Sequence, residues 1–230
     1  MNTSDLPKLT IRNVTVRSLL VPLLRPLVTR IITIDRMATI LIDLETEEGI
    51  TGRSYLFGFS ERGNAYLAPL IRDLVMAAKG ERIQPNNLYN KGLKQFTLFG
   101  HKGLPLIAIS GLDMAYWDAL SKAENQPLAA FLGGSMNPIP AYNSNGLGLT
   151  NNLTALASEA EELVSDGNFE MVKVRLGRET LKQDLEAFRA VRAAVGKDIL
   201  LPVDFNQGLD IEEALIRGRA LDMEDVYWIE

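Results

Sequence analysis

The sequence predicts two halves of different character: an α+β half, strands first and helices after, then a half in which strands and helices alternate. Three observations predict this. Residues 9–57 hold β-rich runs broken by a turn, residues 60–122 hold helical periodicity, and from residue 140 short apolar runs alternate with amphipathic stretches. The 230-residue composition, 47% hydrophobic and 23% charged, is that of a globular protein. A chain of this size buries roughly 70% of its unfolded surface, enough for a sizeable core.

In the first half, Leu9–Leu20 starts with strand-like alternation, and Met37–Leu44 is a β-rich run. Glu47-Glu48-Gly49 is a turn signal and Ile50–Phe57 a return strand, so the pattern is an antiparallel meander. Helical patterns follow over residues 60–79 and 105–122. In the second, Ile107, Gly111, Met114 and Trp117 keep one face. The breaker cluster from Phe131 to Pro138 marks a boundary, dividing the chain into residues 1–135 and 136–230.

In the second half, Pro140–Ser144 reads as a strand. Leu153, Leu156, Ala160 and Leu163 mark a helix that Gly167 ends, and Met171–Leu176 is the next strand. Leu181, Leu185, Phe188, Val191 and Val195 mark a helix that Gly196 ends, and Ile199–Val203 is a third strand. Asp210 with Glu213 resembles a capping box for a helix through Leu221, and Val226–Ile229 is a fourth strand. Strict β/α alternation means a parallel sheet with crossover helices. Four strands and three helices are about half of what a (β/α)8 barrel needs, or else make a small open sheet.

Several function classes are excluded. Lys plus Arg total 24 and Asp plus Glu 29, a net charge of −5, against nucleic-acid binding. The absence of cysteine removes disulfides, a thiol nucleophile and thiolate zinc sites, and the single His101 removes multi-histidine metal sites. The longest uncharged apolar stretch, Gly103–Leu112, is about half the roughly 20 residues that span a bilayer. The N-terminus lacks the basic start and apolar run of a signal peptide. The expectation is a cytoplasmic protein with no nucleic-acid or membrane partner.

Lys173 and Arg175, two apart on a strand, share a face, while Val172, Val174 and Leu176 take the other. Asp204 follows the next strand and Glu230 the one after. Lys173, Asp204 and Glu230 fall at strand C-terminal ends, the rim where α/β active sites form. Carboxylate oxygens on neighbouring strands suit Mg²⁺. The same spacing also fits a plainer reading, with Asp204 a turn residue and Lys173–Asp204 a structural ion pair.

Lys173-Val-Arg175, Val203-Asp-Phe-Asn-Gln207 and Trp228-Ile-Glu230 resemble the enolase superfamily, and within it the mandelate racemase group. Gly52–Phe57, Gly111–Leu120 and Ala141-Tyr-Asn-Ser144 extend the resemblance over nearly the whole chain. It implies an α+β capping domain followed by the first part of a (β/α)8 TIM-like barrel, truncated after about the fourth strand. It also implies Mg²⁺-dependent removal of the α-proton of a 2-hydroxy carboxylate through an enediolate, as in a racemase or epimerase. By that resemblance Asp204 and Glu230 are metal ligands, and Lys173 and Arg175 are catalytic and substrate-binding. Ser144 binds the substrate carboxylate, and Asn206 lies behind the metal. A homo-oligomer is expected from the same source.

Two features depart from that pattern. Relatives carry Lys-x-Lys, where the second lysine is a base, and Arg175 stands there instead. Arginine is a poor base and a good carboxylate clamp, which suits one-base chemistry such as dehydration of an acid sugar. The pattern also continues in relatives with a third carboxylate ligand and a His-Asp dyad, neither of which lies in these 230 residues. The expectation is that this chain alone is inactive, a non-catalytic fragment.

Other signals are weak. His101 sits near a turn in the capping half. Gly146-Leu-Gly148 lacks the third glycine of a dinucleotide fingerprint, and Gly58–Arg62 fails the nucleophile-elbow pattern. Trp117 and Trp228 read as core. In relatives the loop at Val21–Asp35 closes over substrate. Here it mixes Ile31, Ile32 and Ile34 with Arg25 and Arg30, suiting a substrate with an apolar end.

Overall fold

In the computed structural model, which describes residues 6–230, the chain forms two compact units. One comprises residues up to Pro22 together with Arg36–Asn137, and the other comprises Leu23–Asp35 and Pro138–Glu230. The sequence draws a single boundary at 135/136 and does not foresee that residues 23–35 group with the second half.

The first unit is built on a three-stranded sheet, β1 (Ile11–Val28), β2 (Thr33–Thr46) and β3 (Thr51–Phe57), in the order β1-β2-β3. On β2, Ala38, Ile40, Ile42 and Leu44 are fully buried at every second residue, the period of a half-buried strand. β2 and β3 pair antiparallel, with Ile42 opposite Ser54. β1 runs on to Val28 through Pro22 and Pro26, where the sequence suggests a loop. As an edge strand it tolerates prolines that donate nothing to a ladder.

Three helices cover this sheet's core: α1 (Glu61–Ala78), α2 (Pro85–Gln95) and α3 (Leu104–Ala123). Ser60 caps α1 by accepting from the Gly63 amide. α3 lies close against β3 at Gly52, where a Cβ would fall 2.1 Å from the Ala115 carbonyl oxygen. α2 is absent from the sequence reading. Its buried face is only Pro85, Leu88 and Gly92, too sparse for a clear periodicity, and Pro85 in its first turn was the available signal. The four-residue α4 (Leu128–Phe131) closes the unit. Among the described residues no helix is long and apolar enough to cross a membrane.

In the second unit, α5 (Leu153–Ser165), β4 (Val174–Arg175), α6 (Leu181–Val195), β5 (Val203–Asp204) and α7 (Ile211–Leu221) alternate. β4 and β5 pair parallel, with Arg175 opposite Asp204. Parallel bridges Asn143–Val172 and Val203–Ile229 extend the array on both sides. The regular strands are shorter than the apolar runs suggest, partly because Pro202 has no amide hydrogen to donate, although its carbonyl still accepts from Val174 at 2.9 Å. Val172, Val174, Val203, Leu156, Phe188 and Val191 form the core beneath the helices. Thr180 and Gln183 make a complete capping box on α6. On α7 only half a box forms: Asp210 accepts from the Glu213 amide, while the Glu213 carboxylate pairs with Arg30 and Arg217.

Candidate active site and metal centre

The alternation that buries Val172, Val174 and Leu176 under the helices turns Lys173 and Arg175 to the opposite face, yet both are also buried, at 8% and 6% exposure. Burying two cations is costly unless anions meet them. For Lys173 they do: its Nζ lies 3.0 Å from Asp204 Oδ2 and 2.9 Å from Glu230 Oε2. The structure therefore brings together three residues 31 and 26 positions apart in the chain, by laying successive parallel strands side by side. Burial alone lowers the Lys173 pKa. Hydrogen bonds that the ammonium donates to Glu230 and Asp204 outweigh it, so its pKa is held above the ordinary value.

Arg175 is clamped from behind. Its Nη1 donates to the Gly146 carbonyl and its Nη2 to the Ser144 carbonyl at 3.0 Å, while its buried Nε has no hydrogen-bond partner. Burial lowers its pKa, opposed chiefly by the charge of Asp204. An arginine nevertheless stays protonated in a protein. Ser144 thus meets Arg175 through its backbone oxygen.

Asp204 is gripped by Asn206, whose backbone amide donates to Oδ1 at 2.6 Å and whose side-chain amide donates to Oδ2 at 2.8 Å. Asn206 and Gln207 both take positive φ, 50° and 60°, a conformation that costs a side chain-bearing residue energy. Asn206 Oδ1 is buried with no donor. The two carboxylates offer only oxygen donors, the chemistry a hard divalent cation takes. The residues fit Mg²⁺ in kind and fall short in number: among the described residues no group of three or more Asp, Glu, His or Cys could hold a metal ion.

Two further features escaped the sequence reading. Trp228, read as core, is only partly buried, and its indole donates to Glu230 Oε1 at 2.7 Å. Tyr142 lies edge-on to it at 5.5 Å and beneath Lys173 at 5.7 Å. The period-two spacing of Trp228 and Glu230 was the signal for the first. The other feature is Asp184, 1% exposed on α6, which accepts from the amides of Gly177 and Arg178 and from the guanidiniums of Arg178 and Arg217. It fixes the chain where β4 ends, two residues past Arg175. His101 is exposed on the loop between α2 and α3 of the first unit.

Residues 11–133 match the family described as mandelate racemase / muconate lactonizing enzyme, N-terminal domain, and residues 155–230 match enolase C-terminal domain-like. The chain is 30% identical over 197 residues to an arabinonate dehydratase of Saccharolobus solfataricus, covering 84% of this chain and 52% of that protein. It is 28% identical over 198 residues to an L-talarate/galactarate dehydratase of Salmonella typhimurium, covering 84% and 48%. It thus spans about half the length of the curated relatives it matches. Among solved structures, an enolase from an alpha proteobacterium with bound magnesium superposes at a TM-score of 0.91 with 44% identity, over 96% of this chain and 61% of that one. An enolase from Bradyrhizobium complexed with magnesium and mandelic acid gives 0.88 and 36%, over 97% and 61%.

Proposed function

We propose, for a chain that belongs to the mandelate racemase and muconate lactonizing enzyme family of the enolase superfamily, that Asp204 and Glu230 hold Mg²⁺ in an enzyme that removes the α-proton of a 2-hydroxy carboxylate. The observation that carries this is the meeting of Asp204 and Glu230 at the Lys173 ammonium, on adjacent parallel strand ends. The magnesium bound in related structures supports it. The bound ion would supply Lewis-acid withdrawal of charge from the substrate carboxylate.

The chain's own residues do the rest. The α-proton is weakly acidic, so its removal needs positive charge placed in advance where negative charge develops. Lys173, which holds its proton between two carboxylates, and Arg175, fixed by two carbonyls, are donors of that kind. Arg175 keeps its proton far above neutral pH and so is no base. Racemisation needs a base on each face of the substrate. A clamped arginine where relatives carry a base-forming lysine favours one-base chemistry, dehydration of an acid sugar. The dehydratases among the relatives support that direction. Racemisation is the second reading, favoured by the exposed apolar Ile31 and Ile32 at the tip of the β1–β2 hairpin and by the mandelic acid complex of a 36% identical neighbour.

A screen of 2-hydroxy acids and acid sugars with Mg²⁺, in deuterated water and with the protein at its natural length, tests the proposal. A 2-keto acid product marks dehydration. Deuterium at the α-carbon of both enantiomers marks racemisation. Neither a 2-keto acid product nor α-deuterium from any substrate overturns the function.

A further inference from the structure

We infer that Trp228 is a positioning residue for Glu230, holding one carboxylate oxygen so that the other is presented to the cation, an inference that rests on the metal reading above. Trp228 and Glu230 are two residues apart on the segment that pairs with Val203, so their side chains leave the backbone on one face. The indole N–H donates to Oε1 at 2.7 Å, and Oε2 is the oxygen that meets Lys173 at 2.9 Å. The two oxygens of one carboxylate are therefore assigned different work.

The assignment matters because the terminal torsion of a glutamate is soft. A carboxylate free to turn presents either oxygen and loses that freedom again on binding a cation. A fixed donor removes the freedom beforehand. Indole is well suited to this because its nitrogen donates and cannot accept, so it holds the ionised carboxylate and does not compete with it for a metal.

Asp204 is held by a different residue and in a different way, since the Asn206 amides donate to both of its oxygens. Each carboxylate at the Lys173 ammonium thus has its own neutral N–H donor. Outer partners of this kind set ligand orientation, and their loss typically weakens metal binding by about 10–100-fold.

Trp228 is itself braced. Tyr142 stands edge-on at a ring separation of 5.5 Å and Tyr227 lies at 5.1 Å. The Tyr142 ring also sits 5.7 Å from Lys173 Nζ. One aromatic pair, drawn from the segments at either end of the parallel array, backs both the ammonium and the carboxylate.

The test is Trp228→Phe in the protein at its natural length. Phenylalanine keeps an aromatic ring against Tyr142 and Tyr227 and removes only the donor. Mg²⁺ affinity is measured by titration calorimetry, and the thermal midpoint is measured without metal. Because Glu230 is partly exposed, the expected loss lies near the low end, about 10-fold, with the metal-free midpoint within about 2 °C of the parent. An affinity within twofold of the parent overturns the inference. If Trp228→Phe does not fold, the indole N–H resonance of Trp228 in the parent decides. A shift on saturation with Mg²⁺ supports the positioning role, and an unmoved resonance overturns it. Asp204→Asn separates loss of the cation site from loss of the Trp228 contact. If the parent binds Mg²⁺ no better than Asp204→Asn, the metal reading fails and the positioning role falls with it. If Asp204→Asn alone loses binding, only the role of Trp228 is refuted.

Discussion

Asp184→Asn should cost more stability than any surface change in the second unit. Asp184 is 1% exposed, and Arg178 and Arg217, both bonded to it, have side chains only 3% and 4% exposed. Asparagine keeps the shape and one acceptor oxygen but leaves the buried Arg178 guanidinium without its carboxylate and Arg217 with only Glu213. Its amide would also point donors at donors, the amides of Gly177 and Arg178. Removing one member of a buried pair costs about 3–5 kcal/mol. At about 2–4 °C per kcal/mol for a chain of this size, the thermal midpoint should fall by roughly 6–20 °C. Differential scanning calorimetry reads the shift. Lys182→Gln, which breaks the exposed Lys182–Glu186 pair, serves as the control and should move it by less than about 2 °C. A fall below 2 °C in Asp184→Asn would refute the reasoning, since the cluster would then be dispensable.

Two further outcomes follow from packing and burial. Gly208→Ala places a Cβ 2.7 Å from Arg30 Cδ, displacing the arginine that pairs with Glu213, so limited proteolysis should cut the hairpin tip at residues 29–32 faster than in the parent. Equal rates would mean that Arg30 does not tether the tip. Tyr116, 4% exposed, has its phenol pushed well above the ordinary value by burial, with Asp113 and Glu81 adding to the effect. The unfolded chain releases this proton at about pH 10 while the folded chain keeps it, so stability is intact below about pH 10 and falls as pH rises past it. Lys173 has the same sign. Ultraviolet titration should show one tyrosine ionising only as the protein unfolds, and full reversible ionisation of all six tyrosines in the folded state would contradict it.

How much the sequence revealed depended on whether the determining contact was local. The start of α7 was legible because a cap acts over three residues, as with Asp210 and the Glu213 amide, whereas the Thr180–Gln183 box on α6 went unread. The approach of Lys173, Asp204 and Glu230 was legible because a β/α repeat returns each strand end to the same rim. β1 past Pro22 was not, because what permits proline there is the strand's place at the sheet edge, a tertiary fact. The Glu213 carboxylate leaves its expected capping box because Arg30 and Arg217 offer stronger partners. The ties of Asp184 to Arg217 and of Tyr142 to Trp228 span 33 and 86 positions, and no short-range pattern encodes them.

Asp204 and Glu230 should together form a divalent-cation site. Titration calorimetry of Mg²⁺ into the protein at its natural length, beside Asp204→Asn, tests it most directly. Asparagine keeps one oxygen and loses the charge that holds a hard cation. Saturable binding is expected in the parent, with an affinity at least about 10-fold weaker in Asp204→Asn and the fold retained. Equal Mg²⁺ binding by the two proteins would contradict it.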